Sequence, residues 1–211
     1  MNTIAKEVLE KIEKNGFEAY LVGGYPRDFL LNIETEDFDI CTSAKKEDLE
    51  NIFQMSFKDN FGSIVLNYKD KIFEITTYRK DIAYTGIRTP NIIYTPHLED
   101  DVLRRDFTIN TICMNYQGKI IDLLGGILDL NNKIIRSVGS SNKKIVEDPL
   151  RILRAIRFAT LLDFEIDKKT SCYITKYSNL LKKLSFSRKK QELDKIFLSP
   201  RKERGIKLLV D

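Results

Sequence analysis

The chain has 211 residues, 42% of them hydrophobic, which suits one good-sized domain or a domain with a helical appendage and excludes disorder as the default. Lysine and arginine total 35 against 31 acidic residues, and a formal charge of +4 by itself says little about nucleic acid. No run of about 20 apolar residues occurs, the start lacks a signal-peptide pattern, and Cys41, Cys113 and Cys172 lack metal-ligand spacing, so the expectation is a soluble cytoplasmic protein with no membrane partner.

Ile4, Val8, Leu9 and Ile12 recur at helical spacing and predict a helix over residues 3–14, stopped by the Asn15-Gly16 C-cap signal. Residues 17–22 read as a strand, 27–31 as a short helix after the Gly23-Gly24 turn, and 38–41 as a second strand. Thr42-Ser43 followed by Glu47 suggests an N-cap leading into a helix through Phe53. Residues 62–68 and 71–78 are apolar and β-rich on either side of Lys69-Asp70, as in a hairpin. The stretch 81–101 holds Gly86, Pro90 and Pro96 without a sustained period and reads as a long loop. Residues 108–116 and 119–123 predict another strand pair around Gln117-Gly118, and 125–141 look irregular apart from a short strand at 134–137. From Val146 onward strand signals vanish and helices take over. The composition shift predicts an α+β fold with a head over residues 1–137 and a helical segment over 138–211.

Leu21-Val22-Gly23-Gly24 is an apolar run ending in two glycines, which lets backbone N–H groups approach a triphosphate, and Arg27 adds a charge for the same anion. Asp37 and Asp39, spaced i, i+2 on an extended segment, share one face about 7 Å apart, so their carboxylates converge on shared divalent ions. Around residues 151–157 a helical wheel sets Arg151, Arg154 and Arg157 within an arc of roughly 120°, opposite Ile152, Leu153, Ile156 and Ala159. Basic residues also crowd the last third of the chain, which suggests a polyanionic partner.

Four motifs follow one another in order: Gly-Gly-x-x-Arg-Asp at 23–28, Asp37-x-Asp39, Arg104-Arg105-Asp106-Phe107-Thr108-Ile109-Asn110, and the block from Glu147-Asp148-Pro149-Leu150-Arg151 through Arg154 and Arg157 to Phe158. Together they resemble the class II tRNA nucleotidyltransferase (CCA-adding enzyme) and bacterial poly(A) polymerase family, within the DNA polymerase β-like nucleotidyltransferases, over about residues 20–200. The resemblance implies a polymerase β-like head, a mixed sheet flanked by helices, followed by an all-helical neck. It implies Mg²⁺ held by Asp37 and Asp39, with CTP and ATP as substrates and the tRNA 3' end as partner. Glu74 is either a third catalytic carboxylate or an ordinary charge on a sheet face, and the sequence leaves both open. Gly23, Gly24, Arg27 and Arg105 are assigned to the triphosphate, and Asp106 and Asn110 to the ribose. Asp28 orients Arg27 or caps a helix, and Pro26 departs from the family pattern by removing one N–H donor.

Family members use the positions of Asp148 and Arg151 to select the base, and hydrogen-bond chemistry makes sense of that. Cytosine and adenine each present an amino donor beside a ring-nitrogen acceptor, while uracil and guanine reverse the order. A carboxylate acceptor next to an arginine donor therefore suits C and A and leaves unpaired groups against U and G. Arg154 and Arg157 are then expected at nucleotide phosphates or the primer end. Residues 81–90 resemble the loop used in switching from C to A addition, with Arg88 and Pro90 at matching positions, and Arg188 and Glu192 fall on the neck-helix motif as structural residues. Members normally continue into body and tail domains that anchor tRNA, so a chain ending at Asp211 is expected to be a fragment, or a minimal form that binds tRNA weakly or needs another chain. Two competing readings are a poly(A) polymerase acting on general RNA 3' ends and a noncatalytic RNA-binding remnant.

Overall fold

Helix α1 (Thr3–Glu13) starts where Asn2 accepts the N–H groups of Ile4 and Ala5, and it buries Ala5, Val8, Leu9 and Ile12. Those four apolar side chains are the predicted stripe. The computed structural model describes residues 1–58, 62–84 and 90–210. Arg88, matched above to a family loop, lies outside the described residues, as does the side chain of Pro90.

After α1 the chain forms β1 (Ala19–Val22), α2 (Gly24–Leu30), β2 (Phe38–Thr42), α3 (Lys46–Phe53), β3 (Ser63–Tyr68) and β4 (Lys71–Thr77). The predicted N-cap of α3 is corrected. Lys45 holds that position, with its N–H donated to the Asp48 carboxylate, while Thr42 and Ser43 bond the Glu18 backbone instead. Lys69 and Asp70 both take positive φ, 49° and 61°, the pattern of a tight hairpin turn between β3 and β4.

The predicted loop over 81–101 is also corrected. It contains β5 (Arg79–Tyr84) and β6 (Pro90–Tyr94), paired as a two-stranded sheet, and helix α4 (Leu98–Arg104). Pro90 is tolerated because it opens its strand, and Ile92, Ile93 and Tyr94 supply β-forming side chains. Glu99, Asp100 and Asp101 fill the first turn of α4, where carboxylates complement the helix dipole. Of the strand predicted over 108–116 only β7 (Cys113–Met114) pairs, with β8 (Ile120–Ile121) and β1, while Thr108–Asn110 forms a 3-10 turn.

The main sheet has the order β3-β4-β2-β1-β7-β8, with β2 and β4 parallel and the other pairs antiparallel. Helices α1 and α3 cover one face over a core of Leu9, Ile12, Leu21, Phe38, Ile40, Leu49, Phe73 and Ile75. On the other face Leu98 and Val102 of α4 pack with Val22, Cys41, Tyr78 and Cys113. This α+β body is one compact unit, formed by Met1–Ala83, Asn91–Arg105 and Asn110–Leu124.

The second unit gathers Asp106–Ile109 and the residues from Gly125 on. It holds α5 (Gly126–Asn131), β9 (Ile134–Ile135), α6 (Ser141–Glu147), α7 (Leu150–Leu162), β10 (Glu165–Ile166), α8 (Lys168–Tyr177), a 3-10 segment (Ser178–Lys183), α9 (Phe186–Phe197) and α10 (Lys202–Val210). Two expectations change here: 125–141 is partly helical, and the helical segment is not all-helical, because β10 pairs in parallel with β9. Helix α7 is the hub, its Ile152 and Ile156 packing with Ile145 and Ile196 and its Leu150 and Leu153 with Leu184.

Candidate active site

In the α+β unit the glycine turn lies against the aspartate strand. Gly23 has φ 78°, and a Cβ built there would stand 3.4 Å from Asp39 Oδ2 and 3.9 Å from Arg105 Nη1. A Cβ on Gly24 would stand 3.7 Å from Arg27 Nη2 and 3.9 Å from Asp37 Oδ2. Both carboxylates and both guanidinium groups thus border the same two glycines. Burial on the sheet fixes the register: Phe38 and Ile40 point into the core, which turns the half-buried Asp39 to the opposite face and leaves Asp37 exposed just ahead of the strand.

Arg27 is buried and held from two sides. Its Nε donates to Asp28 Oδ1 at 2.8 Å, and its Nη1 donates to Asn110 Oδ1 at 2.7 Å. Asp28 therefore orients Arg27, as one of the two sequence readings held, and Asn110 does so from the other side. Pro26 sits in the first turn of α2, where an N–H has no helical partner, so the ring removes no intrahelical bond.

Arg105 depends on a residue that sequence reasoning missed. Asp101 is fully buried, and its Oδ2 accepts from Arg105 Nη2 at 2.9 Å while its Oδ1 accepts from Arg104 Nε at 2.8 Å. Burial pushes the Asp101 carboxyl up, but Arg105 and then Arg104 more than offset this and hold it below the ordinary carboxylate value. Burial also works against the charge on Arg105, and the Asp101 carboxylate raises its pKa overall. The signal was present as Asp101/Arg104 and Asp101/Arg105 at i, i+3 and i, i+4, visible once residues 98–104 are read as a helix.

Glu74 is the register partner of Asp39 across the parallel β2/β4 pair. Its side chain is exposed, and its Oε1 accepts from Ser63 Oγ at 2.8 Å. Among the described residues no group of three or more His, Cys, Asp or Glu side chains is placed to hold a metal ion, so Asp37, Asp39 and Glu74 do not form a three-carboxylate cluster.

In the second unit the remaining candidates line α7 and its approach. Pro149 restricts the residue before it, and Asp148 is accordingly extended, φ −141° and ψ 96°, in the break between α6 and α7. Asp148 Oδ1 accepts from Leu150 N–H at 3.2 Å and from Arg188 Nη2 at 3.0 Å. Arg151 Nη1 donates to the Lys144 carbonyl at 2.6 Å, near the end of α6, and lies 3.5 Å from Glu147. Arg154 Nε donates to Asp106 Oδ2 at 2.7 Å, while Asp106 Oδ1 accepts from Phe107 N–H at 2.8 Å. Arg157 is buried, 2.7 Å from Glu192 Oε2, with its guanidinium 4.1 Å from the centre of the Phe158 ring. The arginine face of α7 is therefore met by carboxylates.

Residues 19–136 match the poly A polymerase head domain, and residues 163–211 match a probable RNA and SrmB-binding site of polymerase A. The chain belongs to the poly A polymerase head domain family. A curated relative, the CCA-adding enzyme of Lactococcus lactis subsp. cremoris strain MG1363, is 42% identical over 213 residues, covering 98% of this chain and 53% of the relative. Among solved structures, the Bacillus stearothermophilus CCA-adding enzyme in complex with CTP matches with a TM-score of 0.91 at 35% identity, over 99% of this chain and 52% of that one. The Thermotoga maritima CCA-adding enzyme complexed with tRNA matches at 0.81 and 26% identity, over 98% and 49%. The chain thus spans about half the length of the relatives it matches.

The head-domain match spans the glycine turn, the aspartate strand and Arg105. Two carboxylates side by side are hard oxygen donors of the kind Mg²⁺ takes, and a site offering only two leaves the other ligand positions to phosphate and water, as that ion prefers. The donor set therefore fits Mg²⁺. Among the described residues, no helix is long and apolar enough to cross a membrane.

Proposed function

We propose that the chain carries the phosphoryl-transfer and nucleotide-selecting parts of a template-independent tRNA nucleotidyltransferase, which adds CMP and AMP from CTP and ATP to the tRNA 3' end with release of pyrophosphate. The observation that carries this reading is the convergence of Asp37, Asp39, Arg27 and Arg105 on the Gly23-Gly24 turn.

In this reading Asp37 and Asp39 hold Mg²⁺, which would neutralise the triphosphate and lower the pKa of the attacking 3'-hydroxyl. Gly23 and Gly24 admit the triphosphate close to the backbone. Arg27, fixed by Asp28 and Asn110, and Arg105, fixed by Asp101, give it positive charges that need little reorganisation. Asp148 and Arg151 select C and A by the acceptor-donor order given above. The break at Asp148-Pro149 supports that role, since it brings a carboxylate out of the helical ladder one turn before Arg151. The T. maritima complex supports the tRNA substrate, and the B. stearothermophilus complex supports CTP.

The test is incorporation of labelled CTP and ATP by this chain into tRNA lacking its CCA end, beside an unstructured RNA. Addition of C and then A to the tRNA, abolished by Asp39→Ala, is the expected result. ATP tailing of the unstructured RNA without CTP use would establish a poly(A) polymerase instead.

A further inference from the structure

We infer that the open sheet face beside Asp39 seats the 3'-terminal ribose of an RNA primer, with Glu74, positioned by Ser63, accepting the hydrogen bond of its 2'-hydroxyl. The inference rests on the transfer site proposed above at Asp37 and Asp39.

Asp39 lies on β2 between two unlike neighbours. On one side β1 leads into the Gly23-Gly24 turn, where the triphosphate is taken. On the other, β4 sets Glu74 in register with Asp39, and β3 sets Val65 in register with Glu74, so the three side chains share one face of the sheet. Leu98 and Val102 of α4 cover that face where Val22, Cys41 and Cys113 lie. Over β4 and β3 it is open: Val65 is 64% and Ile72 65% exposed, with the exposed Glu74 beside both. A nucleoside fits such a floor, laying carbon against the two β-branched side chains and a hydroxyl against the carboxylate.

The chemistry sets where that hydroxyl comes from. In-line displacement brings the attacking oxygen from the side opposite the leaving pyrophosphate. With the triphosphate on the β1 side of Asp39, the 3'-hydroxyl arrives over β4. Adjacent strands lie about 4.8 Å apart, so a ribose that presents its 3'-hydroxyl at Asp39 carries the neighbouring 2'-hydroxyl over Glu74.

Glu74 is oriented to receive it. Thr76 Oγ1 donates to Ser63 Oγ at 3.2 Å, and Ser63 Oγ donates to Glu74 Oε1 at 2.8 Å. The threonine occupies a lone pair of the serine, whose own proton then fixes Oε1. Oε2 bonds to none of the described residues. A carboxylate held by one oxygen is a strong acceptor at the other, and a DNA end has no hydroxyl to give it.

The test is extension by the full chain of two tRNA primers lacking the CCA end, one ending in a ribonucleotide and one in its 2'-deoxy counterpart, both with a 3'-hydroxyl. The deoxy primer is expected to lower kcat/KM about tenfold. Glu74→Ala should lose about tenfold with the ribo primer and nothing further with the deoxy primer, while CTP binding without primer stays unchanged. Glu74→Gln, which keeps a neutral acceptor, should retain part of the preference, and Ser63→Ala should lose about threefold with the ribo primer alone. Val65→Thr combined with Ile72→Thr should raise the KM of both primers about threefold. If Glu74→Ala unfolds by circular dichroism, Ser63→Ala and Glu74→Gln are read in its place.

Equal use of the two primers by the unaltered chain overturns the inference, as does an intact preference in Glu74→Ala or a primer KM unmoved by the threonine pair. So does a Glu74→Ala as inactive on both primers as Asp39→Ala, which would make Glu74 a metal ligand. Each of these leaves the transfer site standing. If the unaltered chain extends neither primer, the transfer reading itself fails and the inference falls with it.

Discussion

Asp101 has no exposed surface yet stays ionised, because Arg104 and Arg105 close on its two oxygens. Removing that charge leaves two half-buried guanidinium groups facing an uncharged partner, so Asp101→Asn should cost about 3 kcal/mol in denaturant unfolding. The same carboxylate makes the α+β unit acid-sensitive. Its folded pKa is depressed, so its contribution is fully present above the unfolded value of about 3.9 and is lost as pH falls through the lower folded value. Melting curves should show the wild type losing stability below about pH 4, and Asp101→Asn should flatten that loss. The glycine turn and Asp37-x-Asp39 were legible in the sequence because their geometry is local: a turn glycine and an i, i+2 spacing need no tertiary partner. The part Asp101 plays was not, because Pro96 and the missing period made residues 81–101 look like a loop.

Among the elements, α10 shows how closely the helices of the second unit approach. A Cβ on Gly205 would stand 2.4 Å from Ile196 Cγ2 of α9 and 2.8 Å from Thr160 Oγ1 of α7, both on fully buried residues. Gly205→Ala should therefore lose about 3 kcal/mol to overpacking and regain about 1 kcal/mol in helix propensity. The net loss, about 2 kcal/mol, is measurable by denaturant unfolding. An unchanged midpoint would mean that α10 does not pack on α7 and α9 in this way. Helix α7 itself was legible, since its apolar residues repeat at the helical period. The fate of its arginines was not: Arg154 and Arg157 meet Asp106 and Glu192, which lie 48 and 35 positions away in the chain. Helix α5 was missed because it begins at a glycine pair and spans only six residues.

Across the whole molecule, the basic residues of the last third include two contrasting sets. Arg151, Arg154, Arg157, Arg188 and Arg204 are engaged with carboxylates or carbonyls, whereas Lys168, Lys169, Lys176, Lys182 and Lys183 are exposed. Under the proposed function the lysines are the groups available to RNA phosphates. Neutralising two or three phosphates predicts that tRNA binding weakens about 10- to 50-fold between 50 and 200 mM salt. Filter binding across that range checks this, and salt-independent binding would remove the lysines from the interface. By itself the sequence determined the α+β class, the glycine turn, the paired aspartates and the amphipathic α7, because each follows from periodicity or short spacing along the backbone. Only the tertiary structure decided which carboxylate holds which arginine: Asp101 with Arg105, Asp106 with Arg154, Glu192 with Arg157, and Asp148 with Arg188. Charge pairing depends on distance in space, and three of those four pairs join residues that only the packing of helices and turns brings within hydrogen-bond reach.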